Sequence, residues 1–201
     1  IRKVKVILSD SEFAYYDGES KSEYREQVLK WCKYLADQGF GGMAFPKEAG
    51  GQDDMAGYFT VMETLSYHDL SMVIKFGVQF GLWGMSVYFL GTEKHHLKYL
   101  KDIGSLELPG CFAMTETGHG SNVKGLETTA TYNHSTKKIT IHTPNEDAGK
   151  EYIGNAALHG QKATVFAKLI IDGEDYGVNA FVVPLRDAGG TIHPGVTIKD
   201  C

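Results

Sequence analysis

The sequence predicts an α+β chain, an N-terminal all-α domain followed by a small antiparallel β-barrel or sandwich. Three observations carry this. Through residue 109, apolar side chains recur three and four apart behind helix-capping residues. From Cys111 onward the period shifts toward two, in short runs separated by turn residues. Between the two regimes stands one glycine- and hydroxyl-rich stretch, Phe112–Gly125. Domains are therefore expected over residues 1–109 and 110–201.

The first helix signal is Ser20-x-x-Glu23, a capping box in which a hydroxyl and a carboxylate satisfy free N–H groups. Tyr24, Val28, Trp31 or Cys32, and Leu35 follow at helical spacing, and Gly39 is the expected stop. The run Gly39–Gly51, with Pro46 inside it, reads as a loop. Asp53 or Asp54 caps a second helix that carries Tyr58, Val61, Met62 and Leu65 inward. Leu70–Leu90 is the most apolar run, but Lys75, Gln79, Ser86 and its glycines make it a poor membrane span. Gly77, Gly81 and Gly84 point instead to a buried helix packed closely on its neighbours. Thr92 caps a last amphipathic helix with Leu97, Leu100 and Ile103 on one face. In it, His95 and His96 point about 100° apart and read as surface residues rather than a pair on one ion. His68 and His119 also lack partners at metal spacing, so no metal site is expected.

In the second half, Glu127–Tyr132 and Ile139–His142 flank a polar loop as a hairpin. Thr164–Ile171 and Val178–Pro184 form a second pair around Asp172–Gly177, and Val196–Lys199 begins another strand.

Composition bounds the function. The 201 residues are enough for a sizeable core, with 42% apolar and 22% charged residues, ordinary for a globular chain. A net charge of −5 argues against broad nucleic-acid binding, which needs a basic footprint. Cys32, Cys111 and Cys201 are odd in number and widely spaced, as for reduced thiols. No signal peptide opens the chain, its first residue is Ile, and it closes on Cys201 just after a strand-like run. A fragment of a longer protein is expected.

Phe112–Gly125 holds the candidate chemistry. Gly118 and Gly120 let the backbone turn tightly and approach a ligand. Thr115, Thr117, Ser121 and Asn122 add short donors, and consecutive N–H groups in such a turn form an anion-holding nest. A P-loop is excluded because no Gly-Lys-Ser/Thr follows, and the Rossmann fingerprint because Val123 stands where its third glycine belongs. The residues alone leave open a solvated turn joining two domains. A second segment, Lys150–Gly160, sets the aromatic face of Tyr152 beside the bare backbone of Gly154, a pairing that serves a planar ring or a buried corner. On these residues alone, the corner is favoured.

Taken together, Thr115-Glu-Thr-Gly-His-Gly-Ser-Asn122 and Lys150-Glu-Tyr-Ile-Gly-Asn155 resemble the acyl-CoA oxidase branch of the acyl-CoA dehydrogenase superfamily. The segments Gly39–Gly51 and Gly91–Leu100 are similar to that family's helical domain, in the same order. The resemblance implies a helical domain, a middle β domain and a C-terminal helical bundle that this chain lacks. It also implies FAD, fatty acyl-CoA as substrate, O2 as electron acceptor and a full-length homodimer or homotetramer. The cofactor-binding positions it implies are Phe112, Met114, Thr115, Gly120, Ser121, Tyr152, Ile153 and Gly154. Thr115 bonds the flavin edge, Ser121 lies near the pyrophosphate or the acyl-CoA, and Tyr152 replaces a usual Trp against the ring. Gly154 offers its N–H near the reactive flavin nitrogen. Where dehydrogenases carry Thr or Ser, this glycine leaves room beside the ring for oxygen. His119 and Asn122 depart from the dehydrogenase pattern and suit the oxidase branch. The family's catalytic base is a Glu of the missing bundle, so no catalytic residue is assigned here, Glu116 reads as structural, and the fragment alone is expected to be inactive. Two other readings are a dehydrogenase that passes electrons to a carrier flavoprotein, and a scaffold module that has lost its flavin. The compartment implied is the cytoplasm for a bacterial source and the peroxisome for a eukaryotic one.

Overall fold

In the computed structural model, which describes residues 1–18, 20–187 and 189–200, the chain divides between Pro109 and Gly110 into two units. Cys201, and the thiol expectation attached to it, lies outside the described residues.

The first unit is helical. Helix α1, Arg2–Leu8, was not foreseen, and it begins without any side-chain cap. Helix α2, Lys21–Asp37, begins where expected, with the Ser20 hydroxyl accepting from the Glu23 N–H at 3.2 Å. The other half of the capping box is replaced, because the Glu23 carboxylate accepts the Tyr16 hydroxyl at 3.0 Å. Gly39 ends the helix at φ +87°, a conformation that costs glycine little. Helix α3, Met55–Leu65, is capped by Asp54, which accepts from Gly57 N–H at 2.8 Å.

Helix α4 runs Leu70–Leu90, and its middle, Gly77–Trp83, is wound as π-helix. Its inner face, Met72, Phe76, Phe80 and Trp83, is fully buried. A Cβ on Gly81 would lie 2.6 Å from the Tyr58 hydroxyl, and one on Gly84 would strike the Phe45 ring. The close packing expected of these glycines is therefore present. Gln79 is buried on the same helix and donates to the carbonyls of Ile103 at 3.2 Å and Leu108 at 3.0 Å.

The last helical stretch, α5, covers 93–104, with His96–Leu100 again π-wound. Thr92 caps it, and His95 Nδ1 closes the box by accepting from Thr92 N–H at 3.1 Å. Leu100 and Ile103 are buried as expected, but Leu97 is exposed. The wider π turn shifts the phase of the helix, so residues three apart no longer share a face there. His95 and His96 are half-buried, each with a local partner, and the His96 ring nitrogen lies 2.8 Å from the Tyr88 carbonyl. Cys32 is buried and free, its thiol pushed up to about 12 by burial.

The second unit is a sheet of β1 Gly110–Ala113, β2 Thr129–Asn133, β3 Lys138–His142, β4 Lys162–Ile171 and β5 Glu174–Pro184. Strand β4 is its centre. One edge of β4 pairs antiparallel with β5, while β1 and β2 run parallel to β4, β1 at residues 162–165 and β2 at residues 168–170. The sheet is therefore mixed rather than wholly antiparallel. The long segment between β2–β3 and β4, which contains Lys150–Gly160, supplies the return that parallel pairing requires.

The β4–β5 hairpin is tighter than expected. Ile171 pairs with Glu174, so the turn is Asp172-Gly173 alone, at φ +53° and +85°. Asp-Gly is the sequence that a two-residue turn of this kind demands. No strand forms at 196–199 among the described residues; Val196 and Ile198 pack instead against the core of Cys111, Ala113, Ala163, Val165 and Leu185.

Candidate functional site

Strand β1 delivers Phe112, whose ring centroid lies 5.0 Å from that of Phe166 on β4. The chain then leaves the sheet at Met114. Glu116 turns it sharply, with Glu116 N–H donating to the His119 carbonyl at 3.1 Å and His119 N–H returning to the Glu116 carbonyl at 3.0 Å.

This turn is laced to a second strip. Thr117 N–H donates to the Gly149 carbonyl at 2.9 Å, Gly118 N–H to the Asp147 carbonyl at 2.8 Å, and Glu151 N–H to the Thr115 carbonyl at 3.1 Å. Two motifs more than thirty residues apart are thus brought side by side.

Beneath them sits a buried charge cluster. The Glu116 carboxylate, with no exposed surface, accepts from Glu127 N–H at 2.8 Å, Thr128 N–H at 3.1 Å, the Thr128 hydroxyl and the Lys150 ammonium at 2.9 Å. Burial pushes its pKa up, but the donors outweigh burial and hold the carboxyl below its ordinary value. For Lys150 burial dominates over the carboxylate's support, and its pKa falls. The two directions pull the pair opposite ways. The glutamate's is decisive, because four donors hold its carboxylate in the charged form. Lys150 also donates to the Met114 carbonyl at 3.1 Å.

Around this clasp the expected binding residues present themselves differently. Met114 and Thr115 are half-buried, and the Thr115 hydroxyl makes no hydrogen bond among the described residues. Gly120 and Ser121 are exposed, and a Cβ on Gly120 would meet nothing within 4 Å. Tyr152 is 82% exposed, so the buried corner favoured on the residues alone is not what forms. Its neighbour Ile153 turns inward against the core, and Gly154 is exposed. The Tyr152–Gly154 strip is thus a backbone nailed down by one apolar side chain, with a ring on one side and a bare glycine on the other.

Two residues that the sequence reading did not single out hold the strip's far end. Asn155, at φ +67°, donates from Nδ2 to the Gly110 carbonyl at 3.0 Å. Arg186, buried, donates to the carbonyls of Gly160 at 2.9 Å and Ala157 at 3.0 Å. Nothing in their spacing announces these partners, which lie 45 and about 30 residues away. Among the described residues no group of three metal-ligating side chains converges.

This donor set fits a planar, polar-edged ring attached to an anionic tail. Uncommitted hydroxyls stand at Thr115 and Ser121, an exposed aromatic face at Tyr152, and bare backbone at Gly120 and Gly154.

Residues 11–107 match the acyl-CoA dehydrogenase N-terminal domain and residues 111–200 the acyl-CoA dehydrogenase middle domain. The chain belongs to the acyl-CoA dehydrogenase family. Within it, the relatives place the chain on the acyl-CoA oxidase branch. It is 52% identical over 157 residues to peroxisomal acyl-coenzyme A oxidase 2 of Arabidopsis thaliana, covering 74% of this chain and 22% of that protein. The crystal structure of acyl-CoA oxidase 1 from Yarrowia lipolytica superposes with a TM-score of 0.83 at 32% identity, over 98% of this chain and 28% of that one. An acyl-CoA dehydrogenase from Bacillus anthracis complexed with FAD gives a TM-score of 0.73 at 26% identity, over 98% of this chain and 34% of that one. The chain spans between about a fifth and a third of the length of these proteins. The helical region followed by a β domain, and the family itself, stand as the sequence predicted.

Proposed function

We propose that this chain is the FAD- and acyl-CoA-binding portion of an acyl-CoA oxidase that desaturates fatty acyl-CoA at the α,β bond in β-oxidation. The observation that supports the reading is the lacing of Thr115–Gly118 to Asp147–Glu151, which ties the segment carrying Thr115 and Ser121 to the one carrying Tyr152 and Gly154. Bound there, FAD would supply the two-electron acceptor for α,β-desaturation of an acyl thioester, with O2 as the final acceptor and hydrogen peroxide as its product.

The chain's own residues bind and orient. The Thr115 hydroxyl and the Gly154 N–H are the donors for the ring's polar edge, where negative charge grows on reduction. Tyr152 supplies the ring's apolar contact, Phe112 and Met114 line the approach, Ile153 anchors the strip, and Gly120 and Ser121 receive the pyrophosphate or the acyl-CoA. Glu116 is unsuited to removing the α proton. It is buried, and four donors already hold its carboxylate.

Helix α4 passes the length and composition test for a membrane span. We read it as a core helix, on the buried Phe76, Phe80 and Trp83 and the buried amide of Gln79. The Arabidopsis relative's peroxisomal name supports a peroxisomal setting, and the family resemblance supports a homodimer or homotetramer of the full-length protein.

The test is the visible spectrum of the purified full-length protein, followed by anaerobic acyl-CoA and then air. Bleaching on substrate, with rapid recovery and peroxide on air, is expected. Bleaching that persists in air would move the reading to a dehydrogenase, and no flavin even after added FAD would leave a scaffold. On the same assay Gly154→Thr is expected to slow reoxidation by oxygen by about tenfold, on the order of 1.4 kcal/mol of barrier. An unchanged rate would remove Gly154 from the oxygen path.

A further inference from the structure

We propose that Lys150 and Glu116 form a positioning clasp that sets the gap between the two strips of the flavin site, and that this clasp holds Tyr152 in a backbone conformation it would not keep alone. The inference rests on the flavin reading above and adds residues to it that touch no ligand.

Tyr152 lies at φ +56°, in the left-handed region that bulky L residues avoid. Such a residue persists only where its surroundings over-determine it. Here they do. On its N-terminal side, the Lys150 ammonium is tied to the Met114 carbonyl at 3.1 Å and the Glu116 carboxylate at 2.9 Å, and Glu151 N–H is tied to the Thr115 carbonyl at 3.1 Å. On its C-terminal side, Ile153 is packed in the core and Asn155 is bonded to Gly110 at 3.0 Å. The exposed ring between them has no packing that would hold it there, since 82% of Tyr152 is open. Its direction is fixed from below, by the backbone.

Lys150 is the only one of these ties that reaches both sides of Thr115, through Met114 before it and Glu116 after it. Glu116 passes the constraint on to Glu127 and Thr128, the two residues just before β2. An ion pair between a buried carboxylate and a half-buried ammonium is a poor source of stability compared with an apolar pair of the same volume, so its presence here fits a role in specifying geometry.

The experiment uses the full-length flavoprotein with Lys150→Met, Lys150→Arg and Asn155→Ala, measuring FAD dissociation constant, bound-flavin absorption and circular dichroism, and thermal midpoint. Lys150→Met is expected to weaken FAD binding by on the order of tenfold or more, the scale seen when an outer partner of a ligand-holding group is removed. It is also expected to change the bound-flavin dichroism, which a loss of stability alone would not do. Lys150→Arg, which keeps a buried cation with reach to both oxygens, should restore most of the affinity. Asn155→Ala should alter the dichroism in the same sense but less, because one of several ties is lost. The clasp is overturned if Lys150→Met lowers the thermal midpoint while the remaining folded protein binds FAD with wild-type affinity and dichroism. Should Lys150→Met fail to fold, wild-type dichroism in both Lys150→Arg and Asn155→Ala overturns it instead. Failure of the wild-type protein to bind FAD would sink the flavin reading itself, a separate result.

Discussion

The two units are held together by different physics. The helical unit is organised by a broad apolar core, with Trp31, Leu35, Leu65, Met72, Phe76 and Phe80 buried and close glycine contacts letting α4 approach its neighbours. The sheet unit has a smaller cluster of mostly small residues, Cys111, Ala113, Ala163, Val165 and Leu185, and relies on a buried carboxylate to join its loops to its strands. Apolar burial is non-directional and indifferent to pH. A carboxylate with four donors is directional, and its contribution depends on its charge. The unit that carries the proposed site is the one built on directional bonds.

The largest effects should come from breaking each device in turn. Phe80→Ala removes a fully buried ring that stacks edge-on against Phe76 at 4.6 Å. A loss of about 3–5 kcal/mol is expected, read by denaturant unfolding and unchanged between pH 5 and pH 8. Glu116→Gln leaves the half-buried Lys150 without its counter-charge, and a smaller loss of about 1–3 kcal/mol is expected there. A loss below 1 kcal/mol would show that the sheet unit does not lean on this cluster.

The same comparison predicts opposite responses to acid. The folded-state pKa of Glu116 lies below its unfolded value, so the unfolded chain takes up the proton first. Its stabilisation is fully present above the ordinary glutamate value of about 4.3 and is lost as pH falls through the lower folded value. Glu116→Gln should remove that part of the acid sensitivity, so wild type and variant converge as pH falls from the ordinary glutamate value through the lower folded one. Parallel curves would assign the acid response to other carboxylates.

Most of the helical unit was legible in the sequence because its signals are local. Ser20, Asp54 and Thr92 cap helices through partners three residues away, and the apolar spacing of α2 and α3 reports the buried face directly. What escaped there was helix α1, which no side chain caps, and phase. Two π-wound stretches widen the turn, and Leu97 swings out to solvent. In the sheet unit the strands were legible but their directions were not, since alternation is the same for parallel and antiparallel neighbours. The site was legible as two motifs, and their family resemblance joined them. The bonds that join them were not, because Lys150 to Met114 and Arg186 to Ala157 span 36 and 29 residues with no period to betray them. The residues alone favoured a buried corner for Tyr152, while the family resemblance set it against a ring, and its 82% exposure excludes the corner. A left-handed backbone turns its ring outward, and aromatic character alone argues for burial.

The smallest expected effects sharpen the contrast between local and distant control. Ser20→Ala removes one hydroxyl acceptor at 3.2 Å from the Glu23 N–H, and a cost of about 1 kcal/mol is expected. Gly173→Ala adds a methyl group that meets nothing within 4 Å, at φ +85°. Any penalty there is purely conformational, about 1 kcal/mol, the order of the left-handed cost for an L residue. The two changes are thus matched in size and local in cause, one in each unit. If the sheet unit's site is aimed by its buried clasp rather than by its hairpin, Gly173→Ala should leave FAD affinity in the full-length protein unchanged while lowering the thermal midpoint as Ser20→Ala does. A weaker FAD affinity in Gly173→Ala would show that the β4–β5 turn, which lies at the end of the central strand, also sets the geometry of the site.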